Sequence, residues 1–327
     1  MRILFALFVF FALYSCTETE PVEIQNSGQV FGTSFKITYF AKQDYAQQID
    51  SLFGVINQSM STYMEDSDIS KINRNEASAV DQHFERVFKT SKKIYKKTNG
   101  VFDPTIGAVV NAWDFGPQGA IVALDSIKID SLMKSVGLNK VKLRNRNLIK
   151  ESLYTFIDFN AIAKGYAVDV IAEYLETKGI SNYLVEIGGE LRTKGQNTTK
   201  NSDWRIGIDL PNFEGQQEVL QAITLSNNAM ATSGTYRKYK IDENGNRYAH
   251  IIDTETGYPS KSNVLSVSVI TSDCMTADAY ATAFQAMGID KVKALLKDHP
   301  ELKVFFVYEN EENDLATLAL NNFPIED

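Results

Sequence analysis

Apolar residues recur along this chain with the two spacings that distinguish helices from strands. Stripes spaced by three and four residues predict helices at 45–60, 84–95, 127–136, 162–175, 277–287 and 290–298. Shorter apolar runs predict strands at 29–40, 140–159, 183–187, 204–210, 236–241, 247–253, 264–270, 302–308 and 315–320. The elements mix without a strict strand–helix alternation and without an internal repeat. This order favours a single α+β domain.

Three stretches follow neither spacing. Gly32 and Thr33 interrupt the first predicted strand, which indicates a bulge or the close approach of another group. Residues 227–234 are mostly small, and we expect a loop there. Residues 101–116 are rich in glycine, aromatic and apolar residues, and so apolar a loop is hard to leave in water. That segment is therefore expected to be buried or to line a ligand site.

A strand running into a helix at 156–169 forms the first candidate site. Lys164 falls in the first turn of the predicted helix, where the helix dipole favours anions over cations. An anionic ligand on the helix N-terminus would resolve this conflict, and Asp158 adds a carboxylate at the strand end. The alternative is a solvated surface lysine beside a turn aspartate.

A second strand-to-helix junction at 264–282 repeats this arrangement. Asp278 and Thr282 are four residues apart, so both lie on one face of the predicted helix. A carboxylate and a hydroxyl at this spacing are hard oxygen ligands suited to Mg²⁺. The alternative is that Asp278 only compensates the helix dipole.

The chain begins with a targeting segment. Arg2 precedes an unbroken apolar run at 3–14 that is too short to span a membrane. The run ends in a pattern similar to a bacterial lipoprotein signal, so we expect cleavage before Cys16 and lipidation on it; an ordinary secretory peptide is the alternative. The predicted organisation is a signal peptide at 1–15, a polar tether at 16–28 and a folded domain at 29–327. The protein is expected to be exported and lipid-anchored to a bacterial membrane, facing the periplasm.

The net charge of −8 over 327 residues argues against a nucleic-acid binder, which would show a basic face. An anionic small ligand would then need a local counter-charge, which a metal ion could supply. If Cys16 carries lipid, Cys274 has no intramolecular partner. The export signal is thus combined with the absence of a disulfide framework.

Short motifs follow one another in a fixed order. They lie at 60–63 with Ser67, at 102–107 with Trp113 and Phe115, and at 158–169, 188–189, 231–234, 250–259 and 276–282. Together they resemble the ApbE family of flavin transferases, also described as FAD:protein FMN transferases. Many members of that family are bacterial lipoproteins, which agrees with the N-terminal signal.

The resemblance implies a single ApbE-like (T-fold-like) catalytic domain with FAD as substrate and Mg²⁺ as cofactor. The implied reaction cleaves the FAD pyrophosphate, joins the FMN moiety through its phosphate to a Thr hydroxyl of an acceptor protein, and releases AMP. The implied metal ligands are Asp278, Thr282 and the main-chain carbonyl of Ala161. Phe31 departs from the methionine that is common at its position in the family. FAD contacts are implied for Phe31, Tyr63, Asp103, Pro104, Thr105, Asp158, Lys164 and Ile252.

The acceptor hydroxyl needs a base, and His250 and Asp253 are the candidates. The unperturbed pKa of histidine lies near neutrality, which suits general-base catalysis. The alternative for His250 is a residue that only hydrogen-bonds a ligand or a neighbour.

Two other functions stay open. One is a FAD pyrophosphatase, in which water replaces the Thr hydroxyl; the other is a non-catalytic flavin-binding lipoprotein. The aromatic Tyr63 favours transfer over hydrolysis, because the residue at that position is expected to influence the balance. The expected acceptor is a subunit of a membrane electron-transport complex with a flavinylation-type Thr motif.

Overall fold

An antiparallel sheet of eight strands forms the centre of the fold. The computed structural model describes residues 20–212, 218–236, 239–241 and 247–325. The predicted signal peptide, Cys16 and residues 243–246, between the strands predicted at 236–241 and 247–253, lie outside these ranges. The strands of the described part are β1 (Val22–Val30), β2 (Thr33–Ala41), β3 (Val141–Arg144), β4 (Asn147–Lys150), β5 (Tyr183–Ile187), β6 (Glu190–Lys194), β7 (Trp204–Asp209), β8 (Val219–Leu225), β9 (Ala229–Gly234), β10 (Tyr239–Ile241), β11 (Arg247–Ala249), β12 (Val264–Thr271), β13 (Lys303–Glu309) and β14 (Leu315–Leu320).

The strand order of the central sheet is β1-β2-β5-β6-β9-β12-β13-β14, and every neighbouring pair is antiparallel. Separate hairpins are formed by β3 with β4, β7 with β8, and β10 with β11. The helices are α1 (Ala46–Met60), α2 (Asp68–Asn73), α3 (Gln82–Lys97), α4 (Gly107–Ala112), α5 (Ser126–Met133), α6 (Ala163–Thr177) and α7 (Cys274–Leu296), the last interrupted by non-helical backbone at Gly288.

The two faces of the sheet are covered by different elements. Alternate side chains of the strands, such as Val185 and Val267, pack on one face against the helices. On the other face, Trp204 and Ile206 of β7 pack with Met230 and other sheet residues. The prediction of an α+β domain is confirmed, and none of the helices in the described ranges is long and apolar enough to cross a membrane.

The first predicted strand is in fact a hairpin. Phe31 and Gly32 both have left-handed backbone, with φ of 52° and 75°, and form the two-residue turn between β1 and β2. Such turns match the twist of the flanking strands, so the interruption at Gly32 is a turn and not a bulge. The predicted tether at 16–28 is wrong for residues 22–28, which belong to β1; that strand is polar because it lies at the sheet edge and is mostly exposed.

Two further predictions of local structure are wrong. Most of the small-residue segment at 227–234 forms β9, a central strand. Small side chains suit this position because α7 packs closely on the strand, and the Cys274 Sγ lies 3.8 Å from the Met230 carbonyl oxygen. The strands predicted at 140–159 end with β4 at Lys150, and no strand lies in the described segment between β4 and α6; Tyr154 in that segment is 86% exposed. A side chain replaces the partner strand for the backbone before α6. The Asn73 side chain accepts a hydrogen bond from the Ile157 amide and donates one to the Ile157 carbonyl oxygen, at 2.8 Å each.

Candidate functional site

Two hydrogen-bonded contacts, one helical turn apart, join α6 to α7. The Gly165 amide donates to Asp278 Oδ2 at 2.9 Å. The Asp169 carboxylate accepts from the Cys274 amide at 3.0 Å and from the Met275 amide at 2.8 Å. Position 165 thus faces 278 and position 169 faces 274, so the two helices run antiparallel. This register brings the start of α6 beside the second and third turns of α7.

Gly165 permits this close approach. A Cβ atom at this position would lie 2.3 Å from the Cys274 carbonyl oxygen and 2.7 Å from the Asp278 Cβ. Neither atom is the end of a flexible side chain, so a larger residue would force the helices apart. Gly165 was not among the residues predicted from the sequence to form the site. A glycine inside a helical stripe was the signal that could have found it, since such a glycine often has a packing reason.

Asp278 is a buried carboxylate in a mixed electrostatic environment. Its side chain lies on α7 with 4% of the residue exposed. Burial raises the pKa of Asp278 to about 7; the positive charge of Lys164 opposes that rise, and the negative charge of Glu190 adds to it. A divalent cation at this carboxylate would lower the pKa again, because an adjacent positive charge favours the ionised form.

The oxygen atoms around Asp278 fit a magnesium ion. The Gly165 amide uses Oδ2, and within the described part of the chain no hydrogen bond reaches Oδ1. Thr282 Oγ1, one turn further along α7, lies 3.2 Å from Ser233 Oγ of β9. The described residues contain no cluster of three or more His, Cys, Asp or Glu side chains suited to a metal. One carboxylate with neutral oxygens suits Mg²⁺, which fills its shell with substrate phosphates and water.

Lys164 lies beside this carboxylate and is paired with a residue the sequence analysis did not identify. Its Nζ is 2.5 Å from Glu190 Oε2, and Glu190 is 2% exposed. Glu190 starts β6 directly after the turn at Gly188 and Gly189, both of which have positive φ. The buried Glu190 carboxylate thus compensates part of the unfavourable interaction between the Lys164 charge and the dipole of α6. The lysine remains 31% exposed, so its ammonium stands at the edge of the site.

The turn at Phe31 and Gly32 lies next to this ion pair. A Cβ at Gly188 would be 2.8 Å from the Thr33 Cγ2, which shows that the β1–β2 and β5–β6 turns are adjacent. The Phe31 ring packs edge-on against Phe53, with 5.6 Å between ring centroids. Phe31 is therefore placed at the same end of the sheet as Lys164.

The segment at 103–107 packs against the segment that precedes α6. Ile106 forms a parallel bridge with Phe156, and the Asp158 amide donates to the Pro104 carbonyl at 2.8 Å. The side chains of Asp103 and Thr105 are nearly or fully buried. Asp103 accepts from the Thr105 amide and hydroxyl and from the Leu138 amide, and burial raises its pKa. The two side chains hold the loop together; their contact with FAD stays a prediction.

Tyr63 and Asp158 lie on the exposed side of the same region. The Asp158 carboxylate accepts from the Asn160 amide at 2.7 Å, and Tyr63 is 60% exposed. Partial burial raises the pKa of the Tyr63 hydroxyl, and the negative charge of Asp158 adds to that rise. The structure thus brings these two sequence-predicted residues close together.

Aromatic rings gather around the predicted base, His250. Phe115 lies 6.2 Å from the His250 ring and 5.9 Å from that of Tyr248, measured between centroids. Trp113 lies 5.8 Å from both Tyr248 and Tyr258. The apolar stretch at 101–116, whose middle forms α4, supplies Trp113 and Phe115. These rings are the kind of surface that accepts a flat aromatic ligand.

The two candidate bases differ in how their side chains are used. Asp253 Oδ1 accepts from the amides of Glu255 and Thr256 at 2.8 and 3.1 Å, so this carboxylate stabilises its own turn. His250 follows directly after β11. That strand ends four residues earlier than predicted, and Ile252 bridges Pro259 instead. Ile252 itself is buried, and packs in a small cluster with Val109 and Val136. Its contact with FAD also stays a prediction.

Comparison with known proteins shows which family this chain resembles. The sequence pattern of the ApbE family matches residues 31–306. A relative from Vibrio cholerae serotype O1, named FAD:protein FMN transferase, is 35% identical over 306 residues, which is 90% of each chain. A relative of the same name from Haemophilus influenzae is 34% identical over 338 residues, covering 95% of this chain and 93% of its own.

Solved structures give the same result for the fold. The flavin transferase ApbE from Vibrio cholerae superposes with a TM-score of 0.81 at 32% identity, covering 91% of this chain and 97% of its own. The apo form of the flavinyl transferase ApbE from Pseudomonas stutzeri gives 0.82 at 28% identity, covering 92% and 96%. The motif order, the paired helix junctions and these likenesses lead to one conclusion: the chain belongs to the ApbE family.

Proposed function

We propose that this protein is a FAD:protein FMN transferase that attaches FMN to an acceptor protein and releases AMP. The observation that carries the proposal is the contact between Gly165 and Asp278, which places a buried carboxylate against the N-terminus of α6 with Lys164 beside it. Phosphoryl transfer needs positioning and charge neutralisation more than covalent help from the protein. A helix N-terminus, an ammonium group and a metal ligand together offer both.

Different groups of residues would bind the metal, the pyrophosphate and the flavin. Asp278, Thr282 and the carbonyl of Ala161 would hold Mg²⁺, which neutralises charge on the pyrophosphate when bound. Support for Ala161 is its position in the turn two residues before α6, since the start of that helix lies beside Asp278. The Lys164 ammonium, at the positive end of the dipole of α6, would bind pyrophosphate oxygens. Tyr63 and the aromatic rings near His250 would enclose the flavin.

The reaction forms one bond and breaks one. The acceptor Thr oxygen bonds to the phosphorus of the FMN moiety, and the bond from that phosphorus to the bridging oxygen breaks, so AMP leaves with that oxygen. The hydroxyl proton passes to a base, for which we favour His250, since Asp253 Oδ1 already accepts two amide protons. The acceptor we propose is the exported part of a membrane electron-transport subunit with a flavinylation-type Thr motif.

Transfer can be tested with purified components. We expect the domain, given FAD, Mg²⁺ and an acceptor of this kind, to raise the acceptor's mass by one FMN residue and to release one AMP. The matched control is the same acceptor with its motif Thr changed to Ala, which should stay unmodified. Intact mass spectrometry of the acceptor and chromatography of the nucleotides are the measurements.

The same experiment separates the other two functions. Release of free FMN at equal rates with and without acceptor would indicate a pyrophosphatase and contradict transfer. FAD that binds but stays intact under all conditions would indicate a flavin-binding protein without turnover. An unmodified acceptor together with intact FAD therefore overturns the proposal.

We also propose that Cys16 is lipidated and anchors the enzyme to a bacterial membrane, facing the periplasm. The support is the apolar run and its terminal Cys16 in the sequence. We expect the full chain, expressed in a bacterium and labelled with an alkyne fatty acid, to carry the label in the membrane fraction. Cys16→Ser should abolish the label and leave the signal uncleaved. A labelled C16S protein, or a wild-type protein without label, would contradict the anchor.

A further inference from the structure

Asp169 is a fully buried carboxylate to which neither the motif analysis nor the proposed reaction gives a role. It lies on α6, and none of its surface is exposed. Its Oδ1 accepts from the Cys274 amide at 3.0 Å, and its Oδ2 accepts from the Met275 amide at 2.8 Å. These are the first two residues of α7, whose amides have no partner within their own helix. Asp169 thus caps α7 from a neighbouring helix.

The charge of Asp169 is balanced by the sheet. Arg192 of β6 approaches it at 2.9 Å through Nη1, and through Nη2 the same guanidinium reaches Glu176 at 3.3 Å. Burial raises the pKa of Asp169 to about 6, with Asp273 adding to the rise and the two amides and Arg192 opposing it. The carboxylate is therefore ionised at neutral pH. An ionised carboxylate suits the positive end of the dipole of α7.

This contact fixes how α7 is set against α6. Asp278 follows Cys274 by about one turn of helix. Besides the contact through Asp169, the hydrogen bond from the Gly165 amide to Asp278 is the only one that joins α7 to α6 within the described ranges. A slip of one residue along α7 would move its side chains by about 1.5 Å and rotate them by about 100°. Asp278 and Thr282 would then no longer face the start of α6. The register of the two helices rests on the two contacts together.

We propose that Asp169 is a positioning residue for the metal and pyrophosphate site, holding the first turn of α7 so that Asp278 and Thr282 face Lys164 and the start of α6. The inference rests on the proposed function, because it concerns the metal on which that reaction depends. Asp169 acts through α7 and touches neither FAD nor metal. Its effect is on the affinity for Mg²⁺ and on the order of the first turn of α7.

The test is Asp169→Asn, which keeps the shape but turns one hydrogen-bond acceptor into a donor facing an amide. Its matched control is Glu176→Gln, which alters the other carboxylate on Arg192 without touching α7. FAD binding, followed by flavin fluorescence across a Mg²⁺ titration, should show an Mg²⁺ midpoint raised about 10-fold or more in D169N. FAD affinity without metal should stay close to wild type, and E176Q should match wild type in both measurements.

Two further readouts separate positioning from general destabilisation. Saturating Mg²⁺ should restore most of the kcat of D169N, so the defect appears in the apparent KM for Mg²⁺. Hydrogen exchange of the amides at 274–276 should rise in D169N and not in E176Q. If D169N does not fold, Asp273→Ala serves instead, because Asp273 caps the same turn by accepting from the Thr276 amide at 2.8 Å; it should give a smaller shift of the same sign.

The outcomes distinguish this inference from the proposed function. A wild type that depends on Mg²⁺, with unchanged Mg²⁺ midpoints in D169N and D273A, overturns the role of Asp169 and leaves the transferase intact. A wild type whose FAD binding and turnover ignore Mg²⁺ overturns both. A raised midpoint with faster exchange at 274–276 supports Asp169 as the residue that sets the site.

Discussion

Gly165→Ala is expected to lower the rate of flavin transfer by at least about 100-fold, since misplacing a catalytic group by about 1 Å has this effect. The added Cβ would meet the Cys274 carbonyl oxygen and the Asp278 Cβ, so α6 and α7 must separate at the point where Asp278 is held. We also expect a loss of about 1–3 kcal/mol in the free energy of unfolding, typical of overpacking. Acceptor labelling and urea unfolding measure the two effects.

Gly54→Ala is the matched control for this substitution. Gly54 lies inside α1, and a Cβ at that position meets no heavy atom within 4 Å. The same chemical change should therefore stabilise the protein by about 0.5–1 kcal/mol through helix propensity and leave transfer unchanged. Equal activities of G165A and G54A would show that the close approach of α6 and α7 is not needed for the reaction.

Asp278→Asn is expected to lower transfer by about 100-fold or more, a loss typical of removing one group that stabilises transition-state charge. The amide oxygen can still accept from the Gly165 amide, so the backbone contact between the helices is kept. Asn cannot supply the negative charge that holds Mg²⁺. Transfer should stay low even at high Mg²⁺, in contrast to the rescue expected for D169N.

The stability of D278N should change in the opposite direction from its activity. The raised pKa of Asp278 arises mainly from burial and means that the metal-free fold favours an uncharged side chain at this position. Without FAD and Mg²⁺, D278N should therefore have a Tm above that of wild type. With both ligands, wild type should gain stability by mass action and D278N should gain much less. A D278N protein of lower Tm and normal transfer would contradict the assignment of Asp278 as a metal ligand.

Most of the helices were predicted well, because the residues that indicate a helix and its end are close to one another in the sequence. The apolar stripe from Ile162 onward gave α6. Gly179, with φ of 76°, follows the C-cap residue Lys178 in the left-handed conformation that commonly ends a helix. The stripe and the glycine break at Gly288 gave the two parts of α7. The strands were less reliable. Residues 22–28 look like a tether because an edge strand exposes most of its side chains, and β9 looks like a loop because its small residues suit the helix that covers it.

The sequence identified some of the residues at the candidate site and missed others, for the same reason. Lys164, Asp278 and Thr282 were identified because a cation in a first helical turn, and two oxygen ligands four residues apart, are patterns within one element. Glu190, Gly165 and Asp169 were missed because each matters through a contact with a distant part of the chain. Asp103 and Thr105 were found through their motif. Only the structure shows that their side chains are used within the loop.

The sequence by itself determined the α+β class, the membership of the ApbE family and the starts of the two helices, α6 and α7, that carry the candidate ligands. These follow from periodicity and motif order, which are properties of neighbouring residues. The tertiary structure decided that the two helix starts face each other, with Gly165 against Asp278 and Asp169 against the first amides of α7. No local pattern can specify such a pairing, because the partners are more than a hundred residues apart in the chain and meet only when α6 and α7 pack on the same face of the sheet.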